Sequence, residues 1–326
     1  MKPRVFVVQP IPEVALDILR EAADVEVYPY MDRQITTDEL ASAARRSDYL
    51  FAMHETTITA EVLDANPNLK AIGTLGRVSE TIDEAAATAR GIPILRGADE
   101  TQPFLGVSKA TADLTVAMIL NLAYRVTDAD RYVRTIGFKQ EQTLALMGIG
   151  CPGKTVGLIG LGKVGGFMVP RLKVFEMEVL YTKRTRLSPA EEDRLGISWV
   201  DGKDEILTRS DFVVLACDYN PTTHMIVGER ELKLMKPTAF LINTGRGRLV
   251  DEPAMIRALQ DGTIAGAGLD VFWNEPPVTH DPSVPTELCK LDNVILAPHN
   301  GGATWDVRGE MNSRVARAIV AHIRHS

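Results

Sequence analysis

The sequence predicts an α/β protein made of two domains, each built around a parallel sheet. Three observations support this prediction. Short apolar runs alternate with helical stretches along the whole chain, which is the pattern of βα units. The run from Thr155 to Ile159 ends in the glycines Gly160, Gly162 and Gly165, and a helical stretch follows them. A chain of 326 residues also exceeds the size at which one hydrophobic core usually stops growing.

The first domain is predicted from the alternation in the N-terminal part of the chain. The predicted strands are 5–8, 25–28, 49–53, 71–74 and 92–95, and the predicted helices are 13–23, 37–45, 59–66 and 85–90. The stretch 97–106, which contains Pro103, breaks this rhythm and indicates a hinge. We therefore assign residues 1–103 to a substrate domain. An amphipathic helix over 310–323 is expected to return to it, so that 302–326 completes the domain.

The second domain is assigned to residues 104–301 and is predicted to bind a dinucleotide. We expect it to begin with one long helix over 109–134, and the helix after the glycines is predicted at 166–175. The predicted strands are 155–159, 178–181, 212–216, 239–243, 265–270 and 294–297. Both domains are predicted to be Rossmann- or flavodoxin-like, with the active site in the cleft between them.

The three glycines predict that the dinucleotide binds at the turn after the 155–159 strand. Gly160 permits a tight turn, Gly162 lets a pyrophosphate approach the backbone, and Gly165 lets the helix pack close to the sheet. The amides at the helix N-terminus then face the phosphates. An ordinary tight turn is the alternative interpretation. The intervening residues assigned to the same site are Leu161, Lys163 and Val164.

Lys183, Arg184 and Thr185 follow the next predicted strand, at the place where an NAD-binding fold usually carries an acidic residue for the adenosine ribose. An acidic residue would repel a 2′-phosphate, whereas a Lys–Arg pair attracts one. The sequence therefore favours NADP(H) as the cofactor, with NAD(H) as the alternative. The competing interpretation of these residues is a solvated basic turn.

The composition excludes several classes of protein. A net charge of −7 argues against nucleic acid or an anionic membrane as the main partner. No apolar run approaches the ~18 residues of a membrane span, and the N-terminus lacks the apolar region of a signal peptide, so we expect a cytoplasmic protein. Cys151, Cys217 and Cys289 are too few and too scattered for a disulfide framework or a zinc site, and we predict no metal.

Three charged or titratable residues follow predicted strands of the second domain, where open α/β sheets bind their ligands. Arg246 lies in Asn243-Thr-Gly-Arg-Gly, Glu275 in Asp270-Val-Phe-Trp-Asn-Glu-Pro, and His299 in Pro298-His-Asn-Gly-Gly. Taken singly, each has a structural interpretation: Arg246 as an ion-pair partner, Glu275 as an exposed turn carboxylate and His299 as a satisfied structural histidine.

These motifs, in this order, resemble those of the D-isomer-specific 2-hydroxyacid dehydrogenases, a family that includes glyoxylate/hydroxypyruvate reductases and D-lactate, D-3-phosphoglycerate and formate dehydrogenases. The resemblance covers nearly the whole chain. It implies that Arg246, Glu275 and His299 are the catalytic residues. Reduction of a 2-oxo acid needs a hydride, a proton and a cation for the carboxylate. Arg246 would hold the carboxylate, His299 would donate the proton, and Glu275 would orient the imidazole and favour its charged form.

The resemblance also implies contacts with the nicotinamide end of the cofactor. Asp270 is similar to the family's aspartate at the carboxamide, and capping of the turn that follows it is the alternative role. Thr244 and Gly245 are expected to line the nicotinamide pocket, and Gly301 is also assigned to the cofactor site.

At the adenosine end, the segment from Cys217 to Thr223 takes the place of the family's C-P-L-T-P-x-T loop. Cys217 and Thr223 are the expected contacts. Asp218 stands where the family has proline, and its carboxylate slightly weakens the case for NADP.

The substrate is expected to be held by the loop over 73–83, which resembles the family's carboxylate-binding loop. Arg77, Val78 and Ser79 fill its central positions, and Val78 replaces a usual glycine. Arg77 either meets a second anionic group of the substrate or points to water. His54 is a further candidate for a substrate contact.

The leading hypothesis is therefore an NADP(H)-preferring oxidoreductase that interconverts a small 2-oxo acid and a D-2-hydroxy acid, similar to glyoxylate/hydroxypyruvate reductase. One rival is a non-catalytic interaction protein that senses NAD(P)H, like the corepressors that share this fold. The other is a dehydrogenase of formate or phosphite type. The resemblance also implies a homodimer that pairs through the 109–134 helix.

Overall fold

The computed structural model describes residues 2–53, 56–75, 81–97, 104–275 and 283–325. Its fold is α/β with two sheets, and the strands within each sheet pair in parallel, so the predicted fold class is confirmed. The described residues divide into two compact units. The first unit contains the described residues up to Leu105 together with 303–325, and the second contains 106–275 together with 283–302.

The first unit has a sheet with the strand order β2-β1-β3-β4-β5. Its strands are β1 (Arg4–Val7), β2 (Asp24–Val27), β3 (Tyr49–Ala52), β4 (Ala71–Thr74) and β5 (Ile94–Arg96). Its first helices are α1 (Glu13–Arg20), α2 (Thr37–Arg45), α3 (Ala60–Asp64) and α4 (Glu84–Ala89). These elements lie close to their predicted positions, because short apolar runs mark strands buried on both faces and side chains such as that of Thr36 cap the helices.

The last helix, α13 (Trp305–His325), packs in the first unit. Its residues Val315 and Ile319 lie in the core of that unit. Two glycines make room for them, because a Cβ on Gly73 would lie 2.6 Å from Ile319 and one on Gly97 would lie 2.5 Å from Val315. The helix begins five residues before its predicted start at 310, and Trp305 and Asp306 in this first part are exposed, whereas Val307 is buried.

The second unit has a sheet with the strand order β12-β11-β10-β9-β6-β7-β8. Its strands are β6 (Thr155–Ile159), β7 (Glu178–Thr182), β8 (Ser198–Trp199), β9 (Phe212–Leu215), β10 (Phe240–Asn243), β11 (Gly266–Leu269) and β12 (Val294–Leu296). Its helices are α5 (Gly106–Tyr124), α6 (Val126–Thr135), α7 (Lys163–Val174), α8 (Pro189–Leu195), α9 (Lys203–Arg209), α10 (Glu229–Leu234), α11 (Glu252–Gln260) and α12 (Thr286–Cys289). The edge strand β8 was not predicted from the sequence.

The prediction of one long helix over 109–134 is wrong. The chain forms α5 and α6 instead, and Arg125 between them has a φ of 54°, in the left-handed region that interrupts a helix. The Arg125 side chain donates to the Asp128 carboxylate at 3.0 Å and so helps to start α6. A continuous helical pattern does not reveal a single residue that leaves the helical conformation.

Within the described ranges, none of the helices combines the length and the apolar character required to cross a membrane.

Candidate active site

The candidate site residues of the second unit follow the strands of its sheet at one edge. Because all of these strands are parallel, their carboxyl ends lie along the same side. In the spatial order of the strands, the residues are His299 after β12, Glu275 after β11, Arg246 after β10, Cys217 after β9, Gly160 after β6 and Lys183 after β7. The three candidate catalytic residues therefore follow three neighbouring strands, and the glycine turn and the basic turn follow two others.

The glycine turn has the geometry that a dinucleotide-binding turn requires. Gly160 has a φ of 96°, and a Cβ there would lie 2.6 Å from the Cys217 backbone nitrogen, so only glycine fits. A Cβ on Gly162 would point into open space, which leaves its backbone accessible to a ligand. The helix α7 begins at Lys163, three residues before its predicted start, and its N-cap residue Gly162 provides no side-chain cap. Its first amides therefore lie directly at the turn.

The third glycine differs from its predicted role. A Cβ on Gly165 would meet Leu161 Cδ1 at 3.0 Å and Ala216 Cβ only at 3.8 Å. Its closest contact is therefore within the turn, and the approach to the sheet is secondary. Leu161 and Val164 are half-buried, whereas Lys163 is exposed.

His299 and Glu275 contact each other through their side chains. The imidazole Nδ1 lies 3.1 Å from Glu275 Oε2. The Glu275 side chain is 13% exposed and the His299 side chain 38%, so the carboxylate lies behind a more accessible ring. Since an ionised carboxylate can only accept, this contact puts a proton on Nδ1 and leaves Nε2 as the nitrogen that exchanges one.

The backbone of His299 is held in an unusual conformation. Its φ is 56°, and its N–H donates to the carbonyl oxygens of Asp270 at 2.9 Å and Ala297 at 3.1 Å. The Asp270 carboxylate accepts the next two backbone N–H groups, from Asn300 at 2.6 Å and Gly301 at 2.9 Å. Asp270 therefore fastens the turn that carries the imidazole.

Asp270 is 1% exposed, and burial raises the pKa of its carboxyl, against the lowering effect of the two backbone donors. Within the described residues its carboxylate bonds to the turn after β12, which differs from the capping role that the sequence left as an alternative. Gly301 has no room for a side chain, because a Cβ would lie 2.8 Å from Thr111 Oγ1.

Arg246 lies on a turn that the buried Asn243 side chain organises. Asn243 Oδ1 accepts the Gly245 N–H at 3.1 Å, and its Nδ2 donates to the Arg246 carbonyl at 2.9 Å. The Arg246 side chain is exposed, and its Nη1 donates to the Gly245 carbonyl at 2.8 Å. The next residue, Gly247, brings this turn into backbone contact with the segment after β11, since a Cβ there would lie 2.0 Å from the Phe272 carbonyl oxygen.

Comparison with known proteins decides the family. The family model for the "D-isomer specific 2-hydroxyacid dehydrogenase, NAD binding domain" matches residues 116–301. A glyoxylate reductase from Thermococcus gammatolerans is 41% identical over 325 residues, which covers 98% of this chain and 93% of the relative. The chain belongs to the D-isomer-specific 2-hydroxyacid dehydrogenases. It is an oxidoreductase with a nicotinamide cofactor, and the predicted family is confirmed.

Solved structures of the same family share the fold of this dehydrogenase. A Polaromonas protein, assigned provisionally as a D-isomer specific 2-hydroxyacid dehydrogenase, matches with a TM-score of 0.86 and 31% identity, covering 100% of this chain and 98% of that one. An NADPH-dependent glyoxylate/hydroxypyruvate reductase from Sinorhizobium meliloti, solved in complex with NADP and malonate, matches with a TM-score of 0.73 and 28% identity. That match covers 97% of this chain and 92% of the other.

The Thr244 side chain of the dehydrogenase is held by a residue of helix α5. Its Oγ1 lies 2.8 Å from the hydroxyl of Thr115, a fully buried residue of α5 whose own hydroxyl donates to the Thr111 carbonyl at 2.7 Å. Sequence reasoning missed Thr115, because a threonine within an apolar helix carries no signal of a partner more than a hundred residues away.

The basic turn after β7 contains three cationic side chains, those of Lys183, Arg184 and Arg186, which differ in their interactions with the rest of the protein. Lys183 is half-buried, and Arg184 and Thr185 are exposed. Within the described residues Lys183 and Arg184 form no hydrogen bond or close ion pair, although Lys183 attracts the Glu191 carboxylate. Arg186, by contrast, is paired with Glu192 on α8. The structure therefore separates two available cations from one that is already bound.

The segment from Cys217 to Thr223 is held by hydrogen bonds between its own residues. Thr223 Oγ1 accepts the Asn220 N–H at 2.8 Å and donates to the Asp218 carbonyl at 2.7 Å. Asp218 is exposed. Burial raises the pKa of the Cys217 thiol to about 11, so the thiol stays protonated at neutral pH.

Sequence reasoning also missed a buried carboxylate behind the Glu275 segment. Glu252, at the start of α11, is 8% exposed, and burial raises the pKa of its carboxyl. The Trp273 backbone N–H lies 3.3 Å from Glu252 Oε2, and the indole Nε1 of Trp273 donates to the Val250 carbonyl at 2.7 Å. These bonds hold the segment that leads to Glu275.

The four candidate substrate contacts, His54, Arg77, Val78 and Ser79, lie outside the described residues.

Proposed function

We propose that this dehydrogenase reduces short 2-oxo acids, glyoxylate and hydroxypyruvate above all, to the corresponding 2-hydroxy acids with NADPH. The observation that carries the proposal is the 3.1 Å contact between His299 Nδ1 and Glu275 Oε2, at the sheet edge where Arg246 also stands. A 2-oxo acid requires a proton donor for its carbonyl oxygen and a cation for its carboxylate. These residue types meet both requirements.

In this proposal each of the three residues has one task. The bound nicotinamide supplies the hydride. His299 gives the proton from Nε2 to the carbonyl oxygen, while Glu275 keeps the other ring proton on Nδ1. In the oxidative direction the same nitrogen takes up the proton, so the imidazole must begin neutral.

Arg246 binds the substrate carboxylate. Within the described residues its guanidinium makes a single hydrogen bond, from Nη1 to the Gly245 carbonyl, which leaves most of its five N–H donors for a ligand. A planar fork of donors matches a carboxylate and polarises the adjacent carbonyl. His54, Arg77, Val78 and Ser79 stay proposed substrate contacts on the strength of the family resemblance.

The cofactor is proposed to extend along the carboxyl edge of the sheet. The open backbone at Gly162 and the uncapped start of α7 suit a pyrophosphate. The residues proposed for the nicotinamide end are Thr244, Gly245, Asp270 and Gly301, and those for the adenosine end are Cys217 and Thr223. Lys183, Arg184 and Thr185 are proposed to bind the 2′-phosphate, because among the described residues the two cations form no hydrogen bond or close ion pair and no acidic residue stands at the end of β7.

The named relatives support this choice of substrate and cofactor. The Thermococcus protein is named as a glyoxylate reductase, and the Sinorhizobium protein is named as NADPH-dependent and acts on glyoxylate and hydroxypyruvate. A basic turn in place of an acidic residue is consistent with the second name.

The test is the oxidation of NADPH, followed at 340 nm, with glyoxylate, hydroxypyruvate, pyruvate and a dicarboxylic 2-oxo acid, with NADH in parallel. We expect the highest kcat/KM with glyoxylate or hydroxypyruvate and NADPH. Tight NADPH binding without turnover of any 2-oxo acid would favour the cofactor-sensing protein instead. Turnover of formate or phosphite alone would favour the third interpretation.

We also propose that the protein is a homodimer that pairs through α6 and the segment after it. This surface exposes apolar side chains that water disfavours, including Val133 at 51%, Phe138 at 73% and Leu144 at 84%. Val133 and Phe138 border a cavity of about 440 Å³. A second copy is the expected occupant, and a mass in solution of a single 35.7 kDa chain would contradict it.

A cytoplasmic location stays a prediction, which fractionation of cells that express the protein would test.

A further inference from the structure

The loop between β7 and α8 is closed by a buried carboxylate. Glu192 on α8 is 7% exposed, and its carboxylate accepts the Tyr181 hydroxyl at 2.7 Å and Arg186 Nε and Nη2 at 2.8 and 2.7 Å. The Tyr181 hydroxyl in turn accepts the Leu187 backbone N–H at 2.9 Å. Residues 183–186 therefore form a short loop whose two ends are held by the Tyr181 hydroxyl and the Glu192 carboxylate.

Two side chains, those of Glu192 and Trp199, orient the Arg186 guanidinium. Its bidentate contact with Glu192 fixes the plane of the fork, and its Cζ lies 5.0 Å from the centre of the Trp199 ring on β8. Lys183 and Arg184 lie between the tied ends and, within the described residues, have no hydrogen bond or ion pair. The loop thus holds one cation in place and presents two others.

Charge explains why both members of the pair are needed. The Glu192 carboxylate lies beneath a loop that is proposed to receive a phosphate, and alone it would repel that phosphate. Arg186 neutralises it through two charge-assisted hydrogen bonds. The net attraction of the loop then comes from Lys183 and Arg184.

We propose that Glu192 is a positioning residue that sets cofactor specificity, because it holds Tyr181 and Arg186 so that Lys183 and Arg184 meet the 2′-phosphate of NADPH. This inference rests on the proposed preference for NADPH. In this inference Arg186, the third cation of the basic turn, binds Glu192 and does not bind the phosphate.

The opposite assignment makes opposite predictions. If Arg186 bound the phosphate itself, Glu192 would compete with the phosphate for the same guanidinium. Removal of the Glu192 charge would then strengthen NADPH binding. A loosened loop weakens NADPH binding instead, because the two free cations lose their fixed positions.

The experiment compares the wild type with Glu192→Gln, Arg186→Ala and the double variant, using KM and kcat for NADPH and for NADH with glyoxylate as substrate. We expect each single variant to raise the KM for NADPH about tenfold. A tenfold change corresponds to the loss of about 1.4 kcal/mol, the contribution of one charge-assisted hydrogen bond. The double variant should be no worse than Arg186→Ala, because the connection is broken only once. The KM for NADH and both kcat values should stay within about twofold, since NADH has no 2′-phosphate to lose.

Arg194→Ala is the matched control. Arg194 is an exposed cation of the same helix and makes no hydrogen bond or ion pair within the described residues. Its removal should leave the KM for NADPH unchanged. An equal rise in the KM for NADPH in this control would show that the effect comes from the net charge of the helix, and it would contradict the positioning role.

Three results would overturn the inference. The first is an unchanged or lower KM for NADPH in Glu192→Gln, and the second is an additive loss of about a hundredfold in the double variant. If Glu192→Gln does not fold, Arg186→Lys keeps the charge but loses the bidentate fork, and an unchanged KM for NADPH in that variant is the third. A wild-type enzyme with equal KM for both cofactors would contradict the proposed cofactor preference itself, which keeps the two failures distinct.

Discussion

Replacement of Gly247 by alanine should separate two parts of the active site without touching any reacting group. A Cβ on Gly247 would lie 2.0 Å from the Phe272 carbonyl oxygen, 2.1 Å from its carbon and 2.7 Å from the Trp273 nitrogen. A carbon and an oxygen need about 3.3 Å, so the two backbones must move apart by about 1.3 Å. Neither side is a flexible side chain that could turn away.

That displacement acts on the geometry of catalysis. Gly247 follows Arg246 directly, and Phe272 leads to Glu275, so the gap opens between the turn with the cation and the segment with the carboxylate. A misplacement of about 1 Å can lower a rate about a hundredfold. We therefore expect kcat for glyoxylate to fall about a hundredfold in Gly247→Ala.

The assay is steady-state reduction of glyoxylate with NADPH, together with thermal unfolding to show that the variant is folded. Gly262→Ala is the matched control, because Gly262 has a φ of 74° but a Cβ there would meet no atom within 4 Å. The control should lose about 1 kcal/mol of stability and keep its kcat. A folded Gly247→Ala variant with kcat within about threefold of the wild type would refute the reasoning.

Three further predictions concern side chains of the second unit. His299→Ala should abolish reduction of glyoxylate while the Kd for NADPH, from fluorescence titration, changes less than about twofold; substantial residual turnover would remove its role as proton donor. Lys183→Asp together with Arg184→Ser should shift the ratio of kcat/KM values toward NADH by about thirtyfold, from two exposed contacts of about 1 kcal/mol each, and an unchanged ratio would argue against the phosphate site. The pKa of Glu192 is lowered to about 2 by Arg186, so its stabilising effect should be present above pH 4.5 and lost as the pH falls from 4.5 to 2. The difference in Tm between the wild type and Glu192→Gln should therefore shrink over that range, and a constant difference would contradict this assignment.

The sequence by itself predicted the fold class because strands buried on both faces read as short apolar runs and parallel sheets require helices between them. It also marked Arg246, Glu275 and His299 as residues of the segments that follow strands. In a parallel sheet, that position alone brings them to one edge. It did not predict the break at Arg125 or the strand at Trp199, since one residue outside the helical region and a two-residue edge strand leave no periodic trace.

Only the tertiary structure decided which partner each polar group has. The chain gives Asp270, Glu192 and Glu252 as similar carboxylates, yet the first holds the His299 turn, the second binds Arg186, and the third lies buried behind Trp273. A hydrogen bond requires two atoms within about 3 Å, and the pattern of residue types along a chain does not encode that distance. The residue types at the strand ends are therefore readable from the sequence, whereas the packing of the sheet determines their partners.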